Sequence, residues 1–511
     1  MRQIKRNSFR EFKSGLLLFL TLACWSLSNP PGSTPDEWFQ LGSIWCVDGV
    51  DDANCKSIIE PGVLSEYQMG ETNIDYSSCL LTVKSEIRTC AEAEFEFQPM
   101  NSGGYPTTIY RIFNWFVPIG TSLSILIMRL FSALLATSLF VVQMLTMDKK
   151  NRLPWLTGFT FTMLPMSIFL LSSLHPSGWA ITGVTHGWMF LLTGLSKQTG
   201  SRRHRSIPFL LWGFCGCICL ASRYDAFLIF AAVSSITSIT FVASNRLVTI
   251  KNLPRILTAA AGSIIVIFTL SPVARTAISF PNKNLPNQPG TLQWISHWIL
   301  NAIAVPVETL GTGLIGTYVT NNPVFKLRIG TVEQPIIPAA VWIVGVALLG
   351  GVFLFGLIRL NIIQAAALLM SSTLLVWIIL GISSRLERDL FNLPGRYIIP
   401  LVPFMVGHFI YLSKSPIQLM EILSLRQVSI ALLSVTHFLA LHSVVETYAS
   451  TQSFGLLPVI IERNGWWWVG LPFGPNFIVL FGSICFTKFL ITAWSDSPSR
   501  SITGELSGIN D

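Results

Sequence analysis

The chain alternates apolar blocks of about 17 to 25 residues with short polar stretches, and a helix needs about 20 apolar residues to cross about 30 Å of hydrocarbon. Each block therefore predicts a span. Spans are expected near residues 14–28, 122–146, 153–173, 178–195, 206–222, 225–243, 255–273, 336–358, 362–382, 395–412, 428–446 and 474–494. Backbone inside lipid must satisfy its own hydrogen bonds, and the strand alternation that a barrel would need is absent, so helices are expected throughout. The predicted class is an all-α membrane protein, a polytopic bundle of about 12 transmembrane spans.

Composition agrees with this pattern. The 511 residues are 51% hydrophobic and 12% charged, against about 25% charged in an ordinary soluble protein, and the mean hydropathy is +0.57. The net charge of +8 could point to nucleic acid, but the Lys and Arg are scattered in short loops beside apolar blocks and form no basic domain. Membrane topology accounts for them, and no nucleic-acid partner is expected.

If residues 1–13 are cytoplasmic, the inside loops hold Lys149, Lys150 and Arg152, then Lys197, Arg202, Arg203 and Arg205, then Arg246, Lys251 and Arg255. That is the positive-inside bias. The resulting order is a first span at 14–28, an extracytoplasmic loop at 29–121 and spans two to seven within 122–273. An extracytoplasmic loop at 274–335 with an interfacial helix, spans eight to twelve within 336–494 and a cytoplasmic tail at 495–511 follow. The first block has only about fourteen apolar residues and resembles a secretory signal. The sequence Thr21-Leu22-Ala23-Cys24 matches a lipobox poorly, so an uncleaved anchor is expected.

Four of the nine cysteines, Cys46, Cys55, Cys79 and Cys90, fall in the first long loop. An even count in an extracytoplasmic segment reads as two disulfides, with Cys46–Cys55 and Cys79–Cys90 the local pairing among three connectivities. Metal binding competes, but the loop has no His and lacks the short paired spacing zinc prefers. Cys215, Cys217 and Cys219 lie within a span and are expected to pack as small apolar groups.

Candidate chemistry gathers on the side opposite the N-terminus. Asn29-Pro-Pro-Gly-Ser-Thr-Pro-Asp-Glu-Trp-Phe sets Asp36 and Glu37 just beyond the first span, where prolines and aromatics would hold them at a fixed depth. A held carboxylate can serve as general base; alternatively the two acids cap a helix start. His175-Pro-Ser-Gly, Ser222-Arg-Tyr-Asp, and Arg388 with Pro394-Gly-Arg396-Tyr397 lie on the same side. Arg223, Arg388 and Arg396 could grip a phosphate bidentately, with His175, Tyr224, Asp225 and Tyr397 beside them. Structural salt bridges or headgroup contacts are the competing reading.

His186, His437 and His442 are expected to be neutral and hydrogen-bonded inside the bundle. Trp466-Trp-Trp468 and the Trp294–Trp298 segment read as interfacial belts. No P-loop, Rossmann glycine pattern, metal-ligand cluster or nucleophile elbow is present in the sequence. No cofactor or metal is assigned, and a role for a divalent cation is left open.

The order of Pro35-Asp-Glu-Trp-Phe, Tyr105-Pro-Thr-Thr-Ile-Tyr, Arg129-Leu-Phe-Ser-Ala-Leu, Pro165 through Ser177, Ser222-Arg-Tyr-Asp-Ala and Pro394-Gly-Arg-Tyr-Ile-Ile-Pro carries a resemblance. From about residue 15 to 445 the chain resembles the domain-of-unknown-function 2142 family of bacterial membrane proteins, which in turn looks like the GT-C class of integral-membrane glycosyltransferases. The resemblance implies a location in the bacterial inner (cell) membrane, a polyprenyl-phosphate-linked sugar donor, an envelope glycan acceptor and a catalytic base at Asp36 or Glu37. The chain departs from a generic GT-C enzyme in its cysteine-containing first loop and in lacking a clear C-terminal periplasmic domain. Two other readings stand beside an enzyme: a transporter or flippase of a lipid-linked envelope precursor, and a non-catalytic envelope-assembly protein. A transporter would set its ionisable residues near the bilayer midplane, whereas here they sit mainly at span ends.

Overall fold

The structure is a computed structural model that describes residues 2–34, 37–48, 105–119, 121–196, 202–244, 399–412, 423–449, 460–461, 466–468 and 472–495, with parts of 317–351. The described residues are mainly helical: α1 (Arg2–Leu27), α2 (Glu37–Trp45), α3 (Thr107–Asn114), α4 (Thr121–Thr146), α5 (Lys149–Phe161) and α6 (Pro165–Leu171) come first. They are followed by α7 (Pro176–Ser196), α8 (Arg202–Ser222), α9 (Tyr224–Ser244), α10 (Leu401–Leu412), α11 (Leu423–Ala449) and α12 (Pro475–Trp494).

Among the described residues four helices are long and apolar enough to cross a membrane, at Ser122–Thr146, Tyr224–Val242, Leu425–Tyr448 and Pro475–Trp494, and the α5–α6 pair passes together as a fifth. The chain is thus a helical membrane protein with several apolar helices. The expected spans at 255–273 and 362–382 lie outside the described residues.

α7 occupies the middle of the bundle, buried from Pro176 to Gly194 and packed against α4, α6, α8, α9 and α10. Around it the apolar side chains turn outward: Leu123 and Leu134 on α4, Leu210 and Phe214 on α8, and Leu480 and Ile484 on α12 are exposed. In water such surface costs about 25 cal/mol per Å²; against lipid tails it costs nothing.

The span expected at 153–173 is broken. α5 and α6 meet at 95°, because Pro165 at the first position of α6 lacks the N–H that a continuing helix would use. Thr160 and Thr162 donate back to Leu156 O and Gly158 O, at 2.7 and 2.8 Å, over the last turn. Irregular backbone is tolerated at membrane depth when protein covers it, and residues 162–165 are buried.

The span expected from residue 336 is also corrected at its start. Ile336–Pro338 is a strand, β3, paired antiparallel with β2 (Lys326–Arg328), itself paired with β1 (Thr317–Tyr318). Pro335 and Pro338 flank this stretch and cannot carry a helical hydrogen bond; helix is present at Val341 and Ile343–Gly345. β3 packs on α11.

Polar groups join helices across the interior, as in other membrane bundles. Trp25 Nε1 donates to His437 Nε2 at 2.9 Å, tying α1 to α11, and the His437 ring stacks on Phe486 of α12 at 4.2 Å. His408 Nε2 meets Thr240 Oγ1 at 2.9 Å between α10 and α9. His437 is hydrogen-bonded as expected. His186 instead sits among Trp155, Phe159 and Phe190, and its Nδ1 has no hydrogen-bond partner among the described residues.

α5 and α10 approach through glycines. A Cβ on Gly158 would lie 2.5 Å from Gly407 Cα, and backbone cannot move aside as a flexible side chain does. Gly158→Ala should therefore lower stability by about 1–3 kcal/mol, the usual range for overpacking. The check is the thermal midpoint of the detergent-solubilised protein; an unchanged midpoint would contradict this close approach.

Candidate functional site at the exit of the first helix

α1 ends in a turn that the sequence specifies closely. Pro30-Pro31-Gly32-Ser33 closes with Ser33 N donating to Pro30 O at 3.3 Å, and Gly32 has φ 82°. Proline followed by a glycine with positive φ is the type II turn signature. Thr34 then leads towards α2: Glu37 N donates to Thr34 O at 2.9 Å, and Thr34 N donates to Glu37 Oε2 at 3.3 Å. A Thr followed three residues later by Glu is half of a capping box, here with the glutamate reaching back.

Arg129, from the first third of α4, closes the assembly. Its Nε donates to Glu37 Oε1 at 2.8 Å and its Nη2 to Glu37 Oε2 at 2.5 Å. Its Nη1 donates to Ser26 O at 2.8 Å and Asn29 O at 3.0 Å, and Nη2 also donates to Pro30 O at 2.8 Å. A guanidinium has five N–H donors, and all are used. Both side chains are fully buried, at 0% exposure. Such a pair is tolerable away from water only with charges matched and lone pairs filled.

Of the residues singled out in the sequence, Glu37, His175, Arg223, Tyr224, Asp225 and Cys46 are described; Asp36, Arg388, Arg396, Tyr397, Cys55, Cys79 and Cys90 lie outside the described residues. Asp36 immediately precedes the pinned Glu37 in the chain.

The described residues share one end of the bundle through a sequence of contacts. Ser26 Oγ donates to Ser172 O at 3.1 Å. His175 N donates to Ser173 Oγ at 3.2 Å, and His175 Nδ1 accepts the Ser177 N–H at 3.0 Å. Ser177 Oγ accepts from Arg223 Nη1 at 2.6 Å. Arg223 Nε donates to Asp225 Oδ1 at 3.0 Å, and its Nη2 meets Asp225 Oδ2 as well. Arg223 is buried while Asp225 is 30% exposed, so the carboxylate is the member of the pair that reaches the surface. Tyr224 is exposed beside it.

The same end holds residues that the sequence reading missed. Arg129 entered it only as part of a motif, although an arginine within an apolar block is itself a signal. Tyr448 OH donates to Ser33 O at 3.1 Å, and the Trp467 and Trp468 indoles donate to Leu27 O at 3.3 and 3.0 Å. The tryptophan triplet, expected as an interfacial belt, is buried against the exit of α1 because Leu27 O needs donors once its helix has ended. His442 Nδ1 and Glu446 Oε2 lie 3.6 Å apart near the end of α11.

Outside the spans, Tyr110 of α3 donates to Gln40 Oε1 at 2.7 Å, and burial pushes its phenol well above the ordinary value, so it remains a donor. Cys46, just after α2, is disulfide-bonded, whereas Cys24, Cys215, Cys217, Cys219 and Cys485 are free. Cys215 and Cys219 are buried and Cys217 is exposed. Among the described residues no group of three His, Cys, Asp or Glu is placed to hold a metal ion.

Residues 19–405 match the family described as a predicted membrane protein family, DUF2142, and the chain belongs to it. No curated protein and no solved structure matches the chain.

Proposed function

We propose that this protein is a GT-C-like glycosyltransferase that takes a polyprenyl-phosphate sugar at the outer face of the cell membrane and transfers it, with inversion, to an envelope glycan or glycolipid. The observation that carries the reading is the Arg129–Glu37 pin. A buried pair with every guanidinium donor engaged is an expensive way to fix one turn and the start of a nine-residue helix. It makes sense when the residue next to the pin must be held in place. That residue is Asp36.

Glu37 carries two hydrogen bonds from Arg129 and one from Thr34, so it is the anchor and Asp36 the base. In this reading Asp36 takes the proton of an acceptor hydroxyl as the sugar leaves its lipid phosphate. Arg396, with Arg388 and Tyr397 nearby in sequence, meets the phosphate. The Arg223 fork is occupied by Asp225 and Ser177, which suits it to holding His175 and the α8–α9 junction in place. The first loop, carrying Cys46–Cys55 and Cys79–Cys90 disulfides that non-reducing peptide mapping would read, shapes the acceptor side.

The test is transfer by purified protein with a panel of polyprenyl-phosphate sugars and envelope acceptors. Consumption of a sugar-bearing lipid with a glycosylated product is the expected outcome. Movement of intact lipid-linked sugar across a proteoliposome membrane without product would replace this reading with a flippase.

A further inference from the structure

We infer that Tyr448, Trp467 and Trp468 are positioning residues, which hold the turn after α1 so that Asp36 stays aligned with the reacting groups. The role in transfer rests on the glycosyltransferase reading above; the clamp itself rests on geometry. All three residues lie beyond 19–405, the part that matches the family, so the site is completed by a stretch of chain outside that match.

The clamp is a set of donors on two exit carbonyls. Leu27 O, at the end of α1, accepts the Trp467 indole at 3.3 Å and the Trp468 indole at 3.0 Å. Ser33 O, after the type II turn, accepts the Tyr448 hydroxyl at 3.1 Å. These donors stand 415 to 441 residues away in the chain, so no local folding rule brings them there. The rings also brace one another: Trp467 lies edge-on to Tyr448 at 6.1 Å and against Trp466 at 4.5 Å. Tyr448 and the three tryptophans are buried, which leaves each ring little room to shift.

The last carbonyls of a helix can be met by water or by the helix's own final turn. Bulky aromatics meet them here, and they add rigidity, because Tyr and Trp lose little conformational freedom when fixed. The consequence for Asp36 comes from its neighbours in the chain. Glu37, on one side, is held by Arg129, and Ser33, on the other, is held by Tyr448. Between Ser33 and Asp36 stand only Thr34 and Pro35, and a proline has its φ locked. Asp36 is thus bracketed by two anchors, one from α4 and one from α11. A misplacement of about 1 Å can cost about 10²-fold in rate, so a bond that adds little to folding can matter greatly to transfer.

The test uses full-length protein in nanodiscs, with rates counted per folded molecule. Tyr448→Phe keeps the ring and removes only the hydroxyl. It should lower kcat about tenfold or more, while the KM for a polyprenyl-phosphate sugar stays within about twofold. Backbone hydrogen exchange at Ser33 and Thr34 should quicken about fivefold, the effect of one hydrogen bond, with α4 and α7 unchanged. Trp467→Phe combined with Trp468→Phe should show the same pattern. In an Asp36→Asn background Tyr448→Phe should cost nothing further, since a residue that acts through the base has no effect once the base is gone.

Wild-type exchange at Ser33 and Thr34 in both variants would overturn the clamp. Faster exchange with an unchanged kcat, or the same fractional loss with Asp36→Asn as without it, would overturn the positioning role. The two readings fail separately. A wild type that transfers no sugar, with exchange that depends on Tyr448, would sink the glycosyltransferase and the positioning role with it while the clamp stands. Transfer that is indifferent to Tyr448 and both tryptophans would do the reverse.

Discussion

Arg129→Lys should destabilise the protein by about 3–5 kcal/mol, the range for breaking a buried ion pair by losing one partner. Lysine keeps the positive charge but offers three donors on a compact ammonium, against the two Glu37 oxygens and the carbonyls of Ser26, Asn29 and Pro30. At least two of the five bonds are lost, and the ammonium cannot present a planar fork to the carboxylate. Glu37→Gln should be comparably damaging, because the amide leaves the guanidinium charge uncompensated where neither side chain is exposed. Both effects should appear as a lower thermal midpoint and as faster proteolysis of the loop after α1. High salt should do little to the wild-type protein, since a pair shielded from solvent is weakly screened. A wild-type midpoint in either variant would show that the pin is not what holds the turn.

Asp36→Asn should behave in the opposite manner, with transfer lowered about 10²- to 10⁴-fold, the usual contribution of a general base, and the thermal midpoint near that of wild type. The amide keeps the size of the side chain and much of its hydrogen bonding but cannot take a proton at neutral pH. Adjacent acids with such different expected behaviour make an internal control: one variant loses chemistry at constant stability and the other loses stability first. An Asp36→Asn protein that transfers sugar at the wild-type rate would leave the acid as part of the helix start.

Much of the fold was legible because burial in lipid leaves the backbone few options. The apolar blocks at 122–146, 206–222, 225–243 and 474–494 correspond to α4, α8, α9 and α12 within a few residues at each end. The break between α5 and α6 was not legible. No charged residue interrupts Phe161 to Leu171, where Thr162 and Ser167 are the polar positions, and Pro165 alone does not reveal whether a helix kinks or stops. The strand at Ile336–Pro338 was masked in the same way, since hydropathy cannot distinguish two isoleucines in a sheet from two in a span.

At the site, the sequence offered two readings of Asp36 and Glu37, base or cap, and the structure gives the capping geometry to Glu37. What sequence spacing could not supply was the partner 92 residues away that makes this cap a pin. The lone arginine within the apolar block of α4 was the available clue, because a charge in that setting needs an acid. Arg223 likewise had its partner two residues along the chain, and that pairing was readable; its bond to Ser177 on α7 was not.

The central claim is that a carboxylate held beside the Arg129–Glu37 pin performs sugar transfer. Its most direct test is the transfer rate per folded molecule of purified wild type, Asp36→Asn and Glu37→Gln with a polyprenyl-phosphate sugar that the wild type consumes, with the folded fraction taken from thermal unfolding of the same samples. The account predicts that Asp36→Asn is folded and inactive, while the Glu37→Gln molecules that remain folded retain transfer. Full activity in folded Asp36→Asn, or loss of activity confined to folded Glu37→Gln, would contradict it.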